Sequence, residues 1–280
     1  MKKTVLITGC SSGFGLSITK ALLQDGWRVI ATARNIDSSV ELTKLTHSEL
    51  MILPLDVTNE LDRLSIQEYI ANELNGNLDC LINNAGYGLF GPLEELTEEQ
   101  IRHQLEVNLF GVIFLTKMCL PFLRKTKGRI INISSLLGYL AFPLQSLYVA
   151  SKFALEGFTE SLYYELTPHE VQVTLIQPGV HSTNFGINAI LSPLKNDLSK
   201  YQLQKNNFVK FRETLIAKKK GSSEKIASCV VKLLNMPHMP LRTKLGYDAN
   251  ILHLVKRCMP SFLFNKLMHH FFKRIFLVSP

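Results

Sequence analysis

Three apolar residues, Val5-Leu6-Ile7, run directly into Thr8-Gly9-Cys10-Ser11-Ser12-Gly13-Phe14-Gly15, and a helical pattern opens behind them. That succession of buried strand, glycine turn and helix restricts the fold more than any other stretch of the chain. Glycine accepts the backbone angles of a tight turn and lets a ligand approach the chain closely. The helix that follows offers unpaired N–H groups and the positive end of its dipole to whatever sits at the turn. The G-x-x-x-G-x-G spacing is a variant of the dinucleotide fingerprint, which gains weight when it lies between a strand and a helix. Gly9, Ser11, Ser12, Gly13, Phe14 and Gly15 are therefore candidate cofactor residues.

The same alternation continues. Strands are expected at Thr4–Thr8, Arg28–Ala33, Glu49–Leu53, Cys80–Asn83, Arg129–Ser134 and Gln172–Gln177. Helical patterns fill residues 15–25, 59–75, 97–125, 147–167 and 223–235. Continuous apolar runs such as Val29-Ile30-Ala31 fit strands covered on both faces. Strand and helix in turn imply βαβ units, a parallel sheet and a doubly wound α/β sandwich of three layers. The stretch from Gln104 to Leu123 is apolar nearly all round, as expected of a helix buried on the sheet and against a second subunit; its polar breaks argue against a membrane span. With 280 residues the chain is long enough for one large domain. Residues 1–248 are read as that domain, 181–220 as a loop over the substrate, and 249–280 as a helical tail split by Pro260.

On the helix over 147–167, Tyr148 and Lys152 form a Y-x-x-x-K pair, and Ser135 stands thirteen residues before the tyrosine. Side chains four apart share a helix face. A neighbouring cation favours the phenolate, which is expected to lower the tyrosine pKa and suit it to exchange a proton with a carbonyl or hydroxyl oxygen. At the end of the second strand, Ala33-Arg34 stands where an acid would grip a ribose 2′-hydroxyl. An arginine there clamps a 2′-phosphate instead, so NADP(H) is preferred, with NAD(H) possible and Asp37 as the competing acid.

Taken together, Gly9-x-x-x-Gly13-x-Gly15, Asn83-Asn84-Ala85-Gly86, Asn108, Ser135, Tyr148-x-x-x-Lys152 and Pro178-Gly179 resemble a short-chain dehydrogenase/reductase in order and spacing. Cys10-Ser11-Ser12 and Ala31-Thr32-Ala33-Arg34 are similar to the NADP-preferring branch that includes steroid and retinol dehydrogenases. The resemblance implies a Rossmann-type fold and hydride transfer between an alcohol or carbonyl carbon and the nicotinamide. It implies Tyr148 as general acid/base, and Lys152 as the residue that holds the nicotinamide ribose and lowers the tyrosine pKa. Ser135 would hold the substrate oxygen. Asn108, at a helix irregularity, would join a water relay to Lys152. Asn83, Ala85 and Gly86 would line the adenine ribose side, Asp56 and Val57 the adenine, and Pro178, Gly179, Val180 and Thr183 the nicotinamide. No metal is required.

Leu136, Leu137, Tyr139, Leu140, Phe142, Leu144, Gln145, Phe185, Ile187 and Ile190 are expected to make an apolar pocket, hence a lipophilic substrate. Five scattered cysteines, without metal spacing, suit reduced thiols in the cytoplasm. Of the net charge of +8, five positive charges (Lys256, Arg257, Lys266, Lys273, Arg274) follow the last acidic residue, Asp248. The basic character thus belongs to the tail and not to a nucleic-acid-binding face. The tail either packs on the enzyme or touches an anionic membrane surface. A homodimer or homotetramer is expected. The competing class is an NADP(H)-binding regulatory protein without catalysis.

Overall fold

The computed structural model describes residues 2–179, 190–191, 199–218 and 223–277. Seven parallel strands form one sheet in the order β3-β2-β1-β4-β6-β7-β9. They are β1 (Thr4–Ile7), β2 (Arg28–Ala33), β3 (Leu50–Pro54), β4 (Cys80–Asn83), β6 (Arg129–Ile133), β7 (Gln172–Pro178) and β9 (Arg242–Leu245). Two short strands, β5 (Leu89–Phe90) and β8 (Ile190–Leu191), pair in parallel as a separate sheet.

Period-two alternation sorts the strand side chains onto two faces. Val5, Ile7, Val29 and Ala31 pack beneath α1 (Gly13–Gln24) with Ile18 and Leu22. Leu6, Ile30 and Leu81 pack on the opposite face, where α3 (Glu60–Glu73) places Ile66 and Ile70. Two apolar layers of this kind, each closed by helices, make the three-layer sandwich that continuous apolar strands require. Helix starts are set locally. Asn59 accepts from the Leu61 N–H at the head of α3. A Thr97–Gln100 capping box opens α4 (Glu98–Leu105).

The helix expected over 97–125 is interrupted. A π turn at Glu106–Phe110 separates α4 from α5 (Gly111–Thr126). Such turns insert one residue and often mark functional sites. By length and composition Glu98–Thr126 passes as a membrane span; here Leu115, Cys119 and Leu123 are buried on the sheet.

Two expectations need correction. Residues 202–218, read as loop, form α7 (Gln202–Lys218). Phe208 and Phe211 pack on one side of it, and Lys205 is buried in an ion pair with Glu95 at 2.7 Å. The seventh strand, β9, was not expected; it pairs with β7 from Leu175↔Arg242 to Pro178↔Leu245. Helix α8 (Ser223–Leu234) lies against α1, and Ile226 and Val230 join the core there. Helices α9 (Tyr247–Cys258) and α10 (Ser261–Phe272) end the chain with a π turn at Lys273–Leu277. Met259-Pro260 divides them, as the sequence implied. Helix α2 (Val40–Thr43) and helix α6 (Ser146–Leu166) complete the set.

Candidate active site

The strand order reverses direction between β1 and β4, and a crevice opens there at the carboxyl ends of the strands. Side chains lock its two lips together. Thr8 Oγ1 accepts from the N–H groups of Asn84 (3.0 Å) and Ala85 (2.9 Å), while the Asn84 amide donates back to the carbonyls of Thr8 (2.8 Å) and Gly9 (3.0 Å). This latch explains the glycines. A Cβ on Gly9 would stand 2.8 Å from Ala85 Cα, at a φ of +71°. A Cβ on Gly15 would stand 2.2 Å from the Gly9 carbonyl oxygen. Gly13 (φ +59°) faces open space, so its conformation alone demands glycine. Ser12 does not cap α1 with its side chain, and the N-terminal end of α1 opens onto the cleft.

The cleft has a volume of about 480 Å³. From one end it is lined by Gly9, Ser11, Ser12, Gly13 and Phe14, then by Ala33 and Arg34 at the end of β2, and by Asp56 and Val57 beyond β3. Asn84, Ala85, Gly86 and Tyr87 follow, with Pro178 and Gly179 from the end of β7. Ser135, Tyr148 and Lys152 stand toward the far end, under Phe90, Phe142, Phe208, Phe211 and Arg212. Asp56 both lines the cleft and holds its own turn, accepting from Thr58 N (2.9 Å) and Thr58 Oγ1 (2.7 Å). Arg34 is exposed at the rim; Asp37, the competing acid, is exposed outside the lining.

The Ser135–Tyr148–Lys152 group is tightly enclosed. Tyr148 is 5% and Lys152 6% exposed. Ser135 hydrogen-bonds the Tyr148 phenol and also accepts from Leu137 N at 3.1 Å. Lys152 Nζ donates to the Ile133 carbonyl at 2.8 Å and lies 5.8 Å from the Tyr148 ring centre. The expected lowering of the tyrosine pKa is not found in this arrangement. Burial pushes the phenol up to about 12, against the opposing pull of the Ser135 hydroxyl. Burial also presses Lys152 down to about 8, although the Glu156 carboxylate pulls it up. Desolvation outweighs the pairing because the ammonium sits beside the ring and is bonded to a backbone oxygen.

Asn108 does lie in a helix irregularity, the π turn. Its side chain is buried and grips the backbone of Tyr87, accepting from Tyr87 N (3.1 Å) and donating to Tyr87 O (2.9 Å). It also donates to Ser151 Oγ at 3.2 Å, and Ser151 in turn donates to the Tyr148 carbonyl. Asn83 is a correction. Its amide is turned into the core, donating to Thr116 Oγ1 (3.0 Å) and Asn132 Oδ1 (2.8 Å), while the neighbouring Asn84 takes the place at the cleft. Gly15 likewise serves the approach of α1 to Gly9 and does not line the cleft. Val180, Thr183, Phe185 and Ile187 lie outside the described residues.

Several functional residues escaped the sequence. Phe90 meets Tyr148 edge to face at 6.0 Å and Phe208 at 5.8 Å. The tail closes this aromatic wall: Phe276 packs on Phe208 and Phe211, and Phe272 on Phe142 at 5.0 Å. Beneath β6, Glu156 collects Ser134, Gln177 and Arg242. The signal for the aromatic wall was the cluster of tail phenylalanines, which sequence alone could not aim.

A parallel doubly wound sheet with a glycine cradle at its switch point and a buried Ser-Tyr-Lys group defines a dinucleotide-dependent oxidoreductase class. The short chain dehydrogenase profile matches residues 3–190, and the chain belongs to the short-chain dehydrogenase/reductase family. A 3-ketodihydrosphingosine reductase of Bacteroides thetaiotaomicron is 36% identical over 251 residues, 89% of each chain. Retinol dehydrogenase 7 of Rattus norvegicus is 31% identical, covering 95% of this chain and 88% of its own. The alcohol dehydrogenase of Thermococcus sibiricus, solved with 5-hydroxy-NADP, superimposes with a TM-score of 0.70 at 26% identity, over 88% of this chain and 96% of that one.

Proposed function

We propose that this oxidoreductase interconverts a primary or secondary alcohol and an aldehyde or ketone on a lipophilic substrate, with NADP(H) preferred over NAD(H). The observation that carries the reading is the Ser135–Tyr148–Lys152 group, buried at the end of the cleft that begins at the glycine cradle. Gly9, Ser11, Ser12, Gly13 and Phe14 suit a pyrophosphate, and Arg34 a 2′-phosphate. The bound dinucleotide supplies or accepts the hydride. Ser135 and Tyr148 hold the substrate oxygen between their hydroxyls, and Tyr148 passes it the proton. A phenol held near 12 is protonated at neutral pH, which favours its acid role and therefore carbonyl reduction. Lys152 stands where it can bind ribose hydroxyls and compensate charge left on the phenol; Asn108, in the π turn, would join a water relay to Lys152. The aromatic wall supports a lipophilic substrate, in keeping with the ketosphingoid and retinoid names of the two relatives.

The test is a panel of ketones, aldehydes and alcohols followed by nicotinamide absorbance with NADPH and with NADH, repeated on Tyr148→Phe. Turnover should vanish in the variant while NADPH affinity stays within a few-fold. An active Tyr148→Phe enzyme removes the assignment, and a wild type inert toward every substrate returns the regulatory-protein reading.

We further propose two surfaces of contact. Phe110 and Phe114 stack at 6.1 Å on the exposed side of the α4–α5 rod and offer a face to a second copy of the chain. A monomer mass in light scattering counts against it. The outer face of the tail suits a membrane surface, and with the three buried, unpaired thiols it supports a cytoplasmic, membrane-peripheral location.

A further inference from the structure

At the substrate end of the cleft stands one cation that the hydride-transfer chemistry does not use. Arg212, on α7, lies with its guanidinium carbon 5.0 Å from the Phe90 ring centre. Phe90 is the ring that meets Tyr148 edge to face, so the guanidinium is one aromatic ring removed from the proton donor. Its surroundings are apolar: Phe208, Phe211 and Leu215 line the same wall. Arg212 Nη2 is buried and has no hydrogen-bond partner among the described residues. Burial depresses the guanidinium pKa, and only the adjacent Glu213 pulls the other way.

This is an uncomfortable place for an orphan donor. A buried N–H without an acceptor loses its water and gains nothing, and native proteins leave few such groups. The helix is not free to swing the guanidinium away. Lys205, two turns earlier on the same helix, is paired with Glu95 at 2.7 Å, and Phe208 of that helix packs on Phe276 of the tail. Among the residues lining the cleft the acidic one is Asp56, at the adenine end. Among the described residues lining that end of the cleft no carboxylate faces Arg212, and a ligand can supply the acceptor.

We infer that Arg212 is a specificity residue for an anionic head group, so that the substrate is a lipophilic oxo- or hydroxy-acid whose carboxylate is read by Arg212 while its carbonyl oxygen meets Tyr148 and Ser135. This rests on the proposed carbonyl chemistry and sharpens it, because a guanidinium at the substrate end of the cleft favours an anionic substrate and disfavours a cationic one. A planar fork accepts a carboxylate through two parallel N–H···O bonds, and desolvated charge-assisted bonds of this kind are the strong ones.

The test compares the positional isomers of oxodecanoate with their methyl esters in the presence of NADPH, for wild type, Arg212→Gln and Arg212→Lys. Decanoate and decanol binding to the full chain with NADP+ is followed in parallel by calorimetry. Wild type should prefer at least one acid over its ester. Arg212→Gln should reduce that acid-to-ester ratio of kcat/KM by about tenfold to a hundredfold, the effect of a lost charge-assisted hydrogen bond. Arg212→Lys, which keeps the charge and loses the fork, should fall between. Decanoate should bind wild type more tightly than Arg212→Gln. An unchanged ratio, or equal decanoate binding by both proteins, overturns the inference while leaving the dehydrogenase reading intact. If no carbonyl compound is turned over, that reading fails, and the decanoate comparison alone decides whether Arg212 holds an anion.

Discussion

The Ser134 hydroxyl donates to Glu156 Oε1 at 2.6 Å, so of the two adjacent serines at the end of β6 only Ser135 is left to serve Tyr148. The same carboxylate accepts from Gln177 Nε2 at 3.0 Å and from Arg242 Nε at 2.9 Å. One buried acid thus joins α6 to β7, β9 and the end of β6, behind the Ser135–Tyr148–Lys152 group. Glu156→Ala leaves the buried Ser134 and Gln177 donors without their acceptor, while Arg242 keeps Glu160 at 2.7 Å. An unsatisfied buried donor typically costs about 1 to 3 kcal/mol, and urea unfolding should show a loss of at least about 2 kcal/mol. A loss below about 1 kcal/mol, the range of an exposed pair, counts against this role.

The pH dependence follows from Lys152, held near 8 by burial against an ordinary 10.5. Between these values the unfolded chain keeps a proton that the folded chain has released. The Lys152 contribution therefore works against folding below pH 8 and is relieved as pH rises through the window. Stability of wild type relative to Lys152→Met should rise over that interval. In turnover the same titration removes the cation beside Tyr148, so the reductive rate should fall on an alkaline limb near pH 8. Glu156→Gln, which removes the charge that pulls Lys152 up, should move that limb to lower pH. A limb that stays in place would show that another group titrates there.

Much of this was legible because steric facts are written in residue types. Gly9, Gly13 and Gly15 announce a turn that only glycine can make, and uninterrupted apolar runs announce strands covered on both sides. What escaped depended on aim or on diluted patterns. Asn83 and Asn84 are neighbours at a strand end, and neighbours on a strand point opposite ways; only the register decides which reaches the cleft. Strand β9 reads Arg-Thr-Lys-Leu, an edge strand half-buried along its length, with no apolar run to betray it. Helix α7 scatters Phe208, Phe211 and Leu215 among glutamines, asparagines and lysines, which hides its inner face. The tyrosine pKa was misjudged for a different reason: spacing showed that a cation was near, but not that burial would outweigh it.

Arg34 carries the proposed preference for NADP(H). It is exposed at the end of β2, and no acid of the cleft lining stands where a ribose 2′-hydroxyl would be gripped there. Arg34→Ala should raise the KM for NADPH by about tenfold to a hundredfold, the worth of a charge-assisted bond, and should leave the KM for NADH within about threefold. Equal effects on both cofactors would assign Arg34 to adenine stacking and not to phosphate recognition.

The tail has two faces, and each bears on one of the alternatives the sequence left open. Phe264, Leu252, Val255 and Met268 pack inward on Leu136 and Leu140, and Phe276 joins the aromatic wall, so one face is part of the enzyme. Leu254 (61% exposed), Phe262 (69%) and Leu267 (49%) point outward. Arg257, Lys266, Lys273 and Arg274 are also exposed along the tail, and no acid follows Asp248. Apolar side chains flanked by cations match an anionic bilayer, where each buried side chain contributes roughly 1.5 to 3 kcal/mol and each nearby cation about 1 kcal/mol. Full-length protein should sediment with phosphatidylserine vesicles and much less with phosphatidylcholine, and added salt should release it. Leu254→Ser, Phe262→Ser and Leu267→Ser combined should weaken sedimentation by about a hundredfold or more. Because all three side chains face outward, each change should alter stability by only about 0.5 kcal/mol. Equal and negligible sedimentation of wild type and the triple variant would leave the outer face without a membrane role.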